Sequence, residues 1–162
     1  MSGEAIHSKL VGAFAKALEK SNAKDVSIGK VQLTDEELVE LSKGLTGLES
    51  LELSDNLLTS ASGDVIAKIL KSNPNLKTLL LGINQIGQVG FASFAKEMKE
   101  HPALEHFSCN SCNLTPESAK DVLQLVSNPK LNHLDLRGNG ITCDGAEEIA
   151  EAIKVTVFFC HD

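Results

Sequence analysis

Two groups of residues in this chain have types and spacings that could do chemistry. The first is Cys109-Asn110-Ser111-Cys112, a CxxC spacing that serves thiol–disulfide exchange or, together with a second such pair, zinc. No second CxxC is present, and Cys143 and Cys160 stand apart. The second group is His106, Ser108, His133 and Asp135. Two imidazoles and a carboxylate are a plausible zinc donor set, and a serine beside a histidine raises the question of a nucleophile. Which of these chemistries is open depends on where the backbone places the residues.

The placement follows from a repeat. Leu76, Leu79, Leu81, Asn84 and Ile86 read L-x-x-L-x-L-x-x-N-x-I. The same pattern returns at Leu48, Leu51, Leu53, Asn56 and Leu58, at Leu104, Phe107, Cys109, Cys112 and Leu114, and at Leu131, Leu134, Leu136, Asn139 and Ile141. The four starts are spaced by 28, 28 and 27 residues. A fixed period of this length marks a solenoid, in which each unit buries its apolar face against its neighbours. A fifth, degenerate copy (Ala23, Val26, Ile28, Val31 and Leu33) begins 25 residues earlier, with Val31 where the asparagine belongs.

The period predicts the helices as well. Position twelve of each unit holds Thr34, Thr59, Gly87, Thr115 and Thr142, a column of helix N-caps broken by one glycine. Thr34 and Glu37 form a capping box by spacing. Two further columns, Leu41, Ile66, Phe94, Val122, Ile149 and Leu45, Leu70, Met98, Val126, Ile153, are four residues apart and share the helix face that points at the strands. Pro74, Pro102 and Pro129 stand two residues before a repeat start, ending each helix and favouring extended backbone. Ahead of the repeats, a helix from about Glu4 to Lys20 carries the stripe Ile6, Leu10, Phe14 and Leu18, read as a cap on the open end of the solenoid. The expected division is a single domain: cap 1–22, degenerate repeat 23–47, repeats 48–75, 76–103, 104–130 and 131–154, and a tail 155–162. Val155 to Cys160 is β-prone, so that tail is a closing edge strand or a sticky end through which two copies could pair.

Register now judges the candidate chemistry. Cys109 takes a buried strand-leucine position and Cys112 the asparagine position, so both read as small buried groups; Cys143 reads as a helix-start residue. Strand residues alternating with the leucines face solvent in three columns. These are Asp25, Ser50, Thr78, His106, His133; Ser27, Glu52, Leu80, Ser108, Asp135; and Gly29, Ser54, Gly82, Asn110, Arg137. Neighbouring strands lie about 4.8 Å apart, which makes His106 and His133 neighbours. Asp135 is about 6.5 Å further along its strand, too far to complete a metal site without convergence. Ser108 lacks the sharp turn and oxyanion donors a nucleophile needs. The expectation is therefore no catalytic, cofactor or metal residues. The columns serve recognition, with Glu52, Leu80, His106, Asn110, His133, Asp135 and Arg137 as partner contacts and Arg137, the only cation in the columns, as the strongest anchor.

Composition narrows the partner. A net charge of −7 argues against nucleic acid, whose phosphates demand a basic footprint. The absence of Trp and Tyr removes stacking platforms, and no basic cluster suits an anionic membrane. No apolar run spans a bilayer, no secretory signal is legible after Met1, and four cysteines without one fit reduced thiols. The expectation is a cytoplasmic protein.

A 28-residue strand–helix unit with these leucines resembles the ribonuclease-inhibitor-like class of leucine-rich repeats over about Ala23 to Ile153. The resemblance implies a right-handed α/β solenoid, with parallel strands on the concave face, helices on the convex face and an asparagine ladder in the turns. More weakly, the size, the repeat type, the leading helix and phrases such as Glu97-Met98-Lys99-Glu100 resemble the tropomodulin C-terminal domain, although the actin- and tropomyosin-binding extension of that family is absent. The Ran GTPase-activating protein shares the repeat type in a much longer array. These resemblances imply an unidentified protein partner on the concave face. Actin, with a cytoskeletal role, is one alternative and a small GTPase another.

Overall fold

The protein is described by a computed structural model that defines the backbone of residues 3–141, 149 and 156–158, and the side chains of residues 10–141 and 149. Helix α1 (Gly3–Lys20) leads into six three-residue strands: β1 (Asp25–Ser27), β2 (Ser50–Glu52), β3 (Thr78–Leu80), β4 (His106–Ser108), β5 (His133–Asp135) and β6 (Thr156–Phe158). They form one parallel sheet in chain order. Helices α2 (Asp35–Leu41), α3 (Gly63–Ser72), α4 (Gly87–Lys99) and α5 (Ala119–Val126) alternate with the strands. The helices pack in sequence, α3 on α4 and α4 on α5. The architecture is an α/β solenoid.

Strand register follows the repeat period residue for residue. Asp25, Ser50, Thr78, His106 and His133 pair in one row, and Ser27, Glu52, Leu80, Ser108 and Asp135 in another. β6 continues the ladder, Thr156 opposite His133 and Phe158 opposite Asp135. The residues between these rows, Leu51, Leu79, Phe107 and Leu134, are buried. Both helix columns meet them: Leu41, Ile66, Phe94, Val122 and Ile149, and Leu45, Leu70, Met98 and Val126, are all buried. Ile153 and Thr142 lie outside the described residues. At mid-array Phe91, Phe94 and Phe107 pack together, with ring centroids 5.4, 6.2 and 6.3 Å apart. Edge-to-face and stacked contacts of this kind add to the area they bury.

The helix starts vary. Thr34 caps α2 through the expected capping box with Glu37. Before α3 and α5 the chain first makes a 3-10 turn, Ser60–Ser62 and Pro116–Ser118. Both turns end on a fully buried serine. Ser62 donates to Asp35, and the Ser118 hydroxyl accepts the Thr115 N–H at 3.2 Å. Asp35 also accepts the N–H and hydroxyl of Thr59 at 2.9 and 2.6 Å. Burial alone would raise the Asp35 carboxyl, but the hydrogen bonds from Ser62 and Thr59 outweigh it and hold its pKa low.

Helix α1 differs from the expected stripe. It rests on α2 through Ala15, which is buried, and the partly buried Val11 and Leu18. Ala15 lies so close to Gly44 that any Cβ there would strike its carbonyl. Leu10 and Phe14, read from the sequence as the packing face, are 63% and 46% exposed; Ile6 is outside the described side chains. The smaller residues win because α1 must approach the α2 C-terminus closely.

Two ladders of polar side chains, buried at Asn56, Asn84, Asn73, His101 and Asn128 and half-buried at Asn139, bind unit to unit. Asn56 accepts the N–H groups of Val31 and Leu33 at 3.2 and 3.0 Å and donates to the Ile28 and Leu53 carbonyls at 2.7 and 2.9 Å. Asn84 accepts Leu58 N–H at 3.2 Å and donates to Leu53 and Leu81. Asn139 accepts the N–H groups of Cys112 and Leu114 and donates to Cys109 and Leu136. Cys112, in the same position, keeps a single thiol donor on Leu81 O at 3.2 Å. The second ladder lies at the helix ends. Asn73 bridges the Leu45 and Ile69 carbonyls and Leu48 N–H, each at 2.8 Å. One repeat on, His101 Nε2 meets Asn73 O at 3.1 Å. In the next, Asn128 donates to Met98 and His101 at 2.7 and 2.9 Å.

These ladders set two measurable expectations. Asn84→Ala leaves the Leu58 N–H without its acceptor and takes one donor each from the Leu53 and Leu81 carbonyls, which keep Asn56 and Cys112, and should cost about 2 kcal/mol by urea unfolding, as a buried orphaned group does. His101 is buried, and that burial holds its pKa below the ordinary histidine value despite bonds to Asn73 and Leu70. The unfolded chain therefore binds this proton more readily, so stability is complete above the ordinary histidine range and lost as pH falls through it. Urea midpoints should fall from neutral to mildly acidic pH, and His101→Asn, the residue its neighbours carry, should flatten that slope.

Candidate functional site

The face of the sheet away from the helices is built by residue alternation in three-residue strands. All seven candidate contacts lie on it or at its margin. Glu52, Leu80, His106, His133 and Asp135 are in the strands, while Asn110 and Arg137 stand two residues beyond β4 and β5. The structure divides them. His106, Asn110, His133, Asp135 and Arg137 gather on the β4–β5 half; Glu52 sits by itself on β2, with Leu80 between.

The β4–β5 half is held in shape by its own bonds. His106 and His133 lie side by side with ring centroids 5.6 Å apart. Asp135 is 7% exposed and bidentate with Arg137, Nε to Oδ1 at 2.9 Å and Nη2 to Oδ2 at 2.7 Å, with the Arg137 backbone N–H on Oδ1 at 3.1 Å. The Arg137 hydrogen bonds hold the Asp135 carboxyl below the usual carboxylate range against the opposing effect of burial. Both predicted anchors are therefore spent on each other, and Arg137 offers a partner the outer side of an ion pair. In the same pairing, the carboxylate nearest the two imidazoles has both oxygens on Arg137.

Beside them, Ser108 donates to Asn110 Oδ1 at 2.9 Å. The Asn110 amide lies flat across Gly82, where any Cβ would overlap Oδ1. Glu52 lies over Gly29 in the same way, with Oε1 and Oε2 only 2.8 and 2.9 Å from where a Cβ would be. Glu52 is fixed by Ser27 and by the Ser54 N–H at 3.0 Å. The glycines of the third column are thus beds for side chains leaning from the next repeat. The polar surface is low and ordered rather than a brush of mobile groups.

Cys109 and Cys112 are fully buried. Burial pushes the Cys109 thiol well above its ordinary value, and a hydrogen bond with Cys112 adds to the effect. A thiol so placed is a poor nucleophile. Cys143 and Cys160 fall outside the described residues. On the helix side Lys71 and Glu97 join α3 to α4 at 3.1 Å. The polar column at the helix ends also went unread, although Leu45, Asn73, His101 and Asn128 recur three residues before each start and carry the signal in the sequence.

Known proteins agree with this architecture. The family model for the Leucine Rich repeat matches residues 127–150. Human NACHT, LRR and PYD domains-containing protein 13 is 30% identical over 142 residues, covering 85% of this chain and 14% of that protein. The ribonuclease inhibitor of Sus scrofa is 32% identical over 108 residues, 65% of this chain and 24% of the inhibitor. The chain thus spans less than a quarter of the length of these relatives. Among solved structures, Leiomodin-1 Actin-Binding Site 2 (ABS2) superposes with a TM-score of 0.69 at 18% identity, covering 87% of this chain and 83% of that one. No helix among the described residues is long and apolar enough to cross a membrane. From the repeat period, the asparagine ladder and these likenesses together, the chain belongs to the leucine-rich-repeat family, with repeats similar to those of ribonuclease inhibitor and a fainter likeness to the actin-binding domain of leiomodin.

Proposed function

We propose that this domain is a non-catalytic protein-binding module that acts in the cytoplasm and takes its partner on the strand face, chiefly over β3 to β5. The observation that carries this is the pre-set order of the face: Asp135 with Arg137, Ser108 with Asn110 and His106 against His133 are already in place. A surface held by its own hydrogen bonds loses little conformational freedom when a partner arrives. Leu80, half-buried between Glu52 and Ser108 in register, supplies the apolar contact, and the imidazole pair supplies hydrogen-bond donors and acceptors.

An actin-directed role is the second reading, favoured by the fold likeness to Leiomodin-1 ABS2, whose name states that it binds actin. A small GTPase is the third class of partner, and the repeat type alone stands behind it.

One experiment addresses all three. The chain is immobilised beside a variant with Glu52, His106, Asp135 and Arg137 replaced by alanine. Removing Asp135 and Arg137 together leaves no unpaired buried charge. Cytosol is passed over both, and the bound proteins are quantified. A partner retained by the parent and reduced about tenfold or more by the variant supports the strand face; actin as that partner supports the second reading, and a small GTPase the third. Equal recovery by both chains removes the strand-face proposal.

A further inference from the structure

At the first-repeat end, an open groove of about 660 Å³ runs between α1 and the turn after β1. Its walls are mainly apolar, with Leu10 and Phe14 from α1, Val31 from the turn, and Ile83 from two repeats further on; Lys30, next to Val31, also lines it. The four apolar residues are among the exposed large hydrophobics of the chain, at 63%, 46%, 45% and 52%. Glu52 and Asp55 lie in the floor, and neither carboxylate has a cationic partner among the described residues.

Ile83 gives the groove a second, independent mark. The turns of this solenoid require a left-handed residue after each strand, and Lys30, Asp55, Ile83, Ser111 and Gly138 meet that need with φ of 61, 57, 56, 50 and 66°. A β-branched side chain is the type least suited to that region. Within one chain the cost is not offset by packing, because half of Ile83 is in solvent.

Helix α1 itself has the chemistry of an occupant. Its inward side is Val11, Ala15 and Leu18, yet Leu10, Ala13, Phe14 and Ala17 are exposed, at the i, i+3, i+4, i+7 spacing of a second apolar stripe. A helix apolar on two sides calls for a second partner. Helical spacing puts Lys16 and Lys20 along the edge of that stripe remote from the groove. If two such helices pack parallel about a two-fold axis, each basic edge swings across to the other copy's groove floor, toward Glu52 and Asp55.

We propose that the α1 groove is a self-association surface: a second copy of this chain seats its Leu10–Ala17 stripe against Val31 and Ile83, with Lys16 and Lys20 facing Glu52 and Asp55. Such an isologous contact is the commonest form of closed assembly. It lies at the opposite end of the array from β6 and does not depend on the strand-face reading.

The test is sedimentation velocity of the full chain over a concentration series, with thermal melts alongside. The expected result is a concentration-dependent dimer, weakened at least tenfold by Leu10→Ser with Phe14→Ser. Ile83→Gly should also weaken it while leaving Tm at or above the parent's, since glycine fits the left-handed turn; a purely structural role would move Tm alone. Asp55→Lys should weaken association although it lowers the net negative charge, and mixing it with Lys16→Glu/Lys20→Glu should restore dimers. A chain that stays monomeric throughout, or a dimer indifferent to the Leu10/Phe14 and Ile83 variants, overturns the proposal.

Discussion

Everything in this domain rests on a shortage of backbone partners. Three-residue strands can satisfy only part of each unit's N–H and C=O groups, and the turns that follow them bring further backbone groups against the neighbouring repeat. Asn56, Asn84 and Asn139 meet that shortage with one amide each, tying the turn of one unit to the strand end of the next. Because each asparagine serves two units, the repeat spacing is fixed by hydrogen-bond geometry as much as by leucine packing. Asn73, His101 and Asn128 do the same at the opposite edge of the layer. A buried polar group left without a partner costs more than an apolar one would, so the two ladders discriminate strongly against slipped register.

That constraint carries through to the surface. With register fixed on both edges, side chains from adjacent strands meet at defined separations, and the face can be organised laterally. Glu52 over Gly29 and Asn110 over Gly82 are consequences of it: each glycine leaves room for a side chain arriving from the neighbouring unit. The Asp135–Arg137 pair shows the cost of the same order. Two charges that would be versatile if separate are fixed into one bidentate unit, giving shape and direction at the expense of net charge.

Much of this was legible in the leucines. Strand rows, helix columns and the parallel arrangement follow from a period near 28 residues, and the pairing of His106 with His133 and of Glu52 with Leu80 follows from counting alone. What periodicity does not carry is direction and competition among side chains. Leu10 and Phe14 fit a helical stripe perfectly well, yet Ala15 and Val11 face α2 because the approach to Gly44 admits only small groups. Arg137 read as an open anchor because the sequence does not reveal that Asp135, two residues before it, points the same way and is nearly buried. The helix-end ladder was missed for another reason: its column begins with the apolar Leu45 and then mixes asparagine with histidine, which share a hydrogen-bonding place but no obvious class.

The central claim is that the partner meets the strands and not the helices. Site-directed photo-crosslinking reads this directly. A benzophenone side chain is placed at position 80 on the strand face in one sample and at position 68, an exposed lysine on α3, in another. Both are irradiated in cytosol, and the adducts are identified by mass. Adducts from position 80 with none from position 68 are the predicted result; adducts from position 68 alone would contradict the account and move the binding surface to the helices.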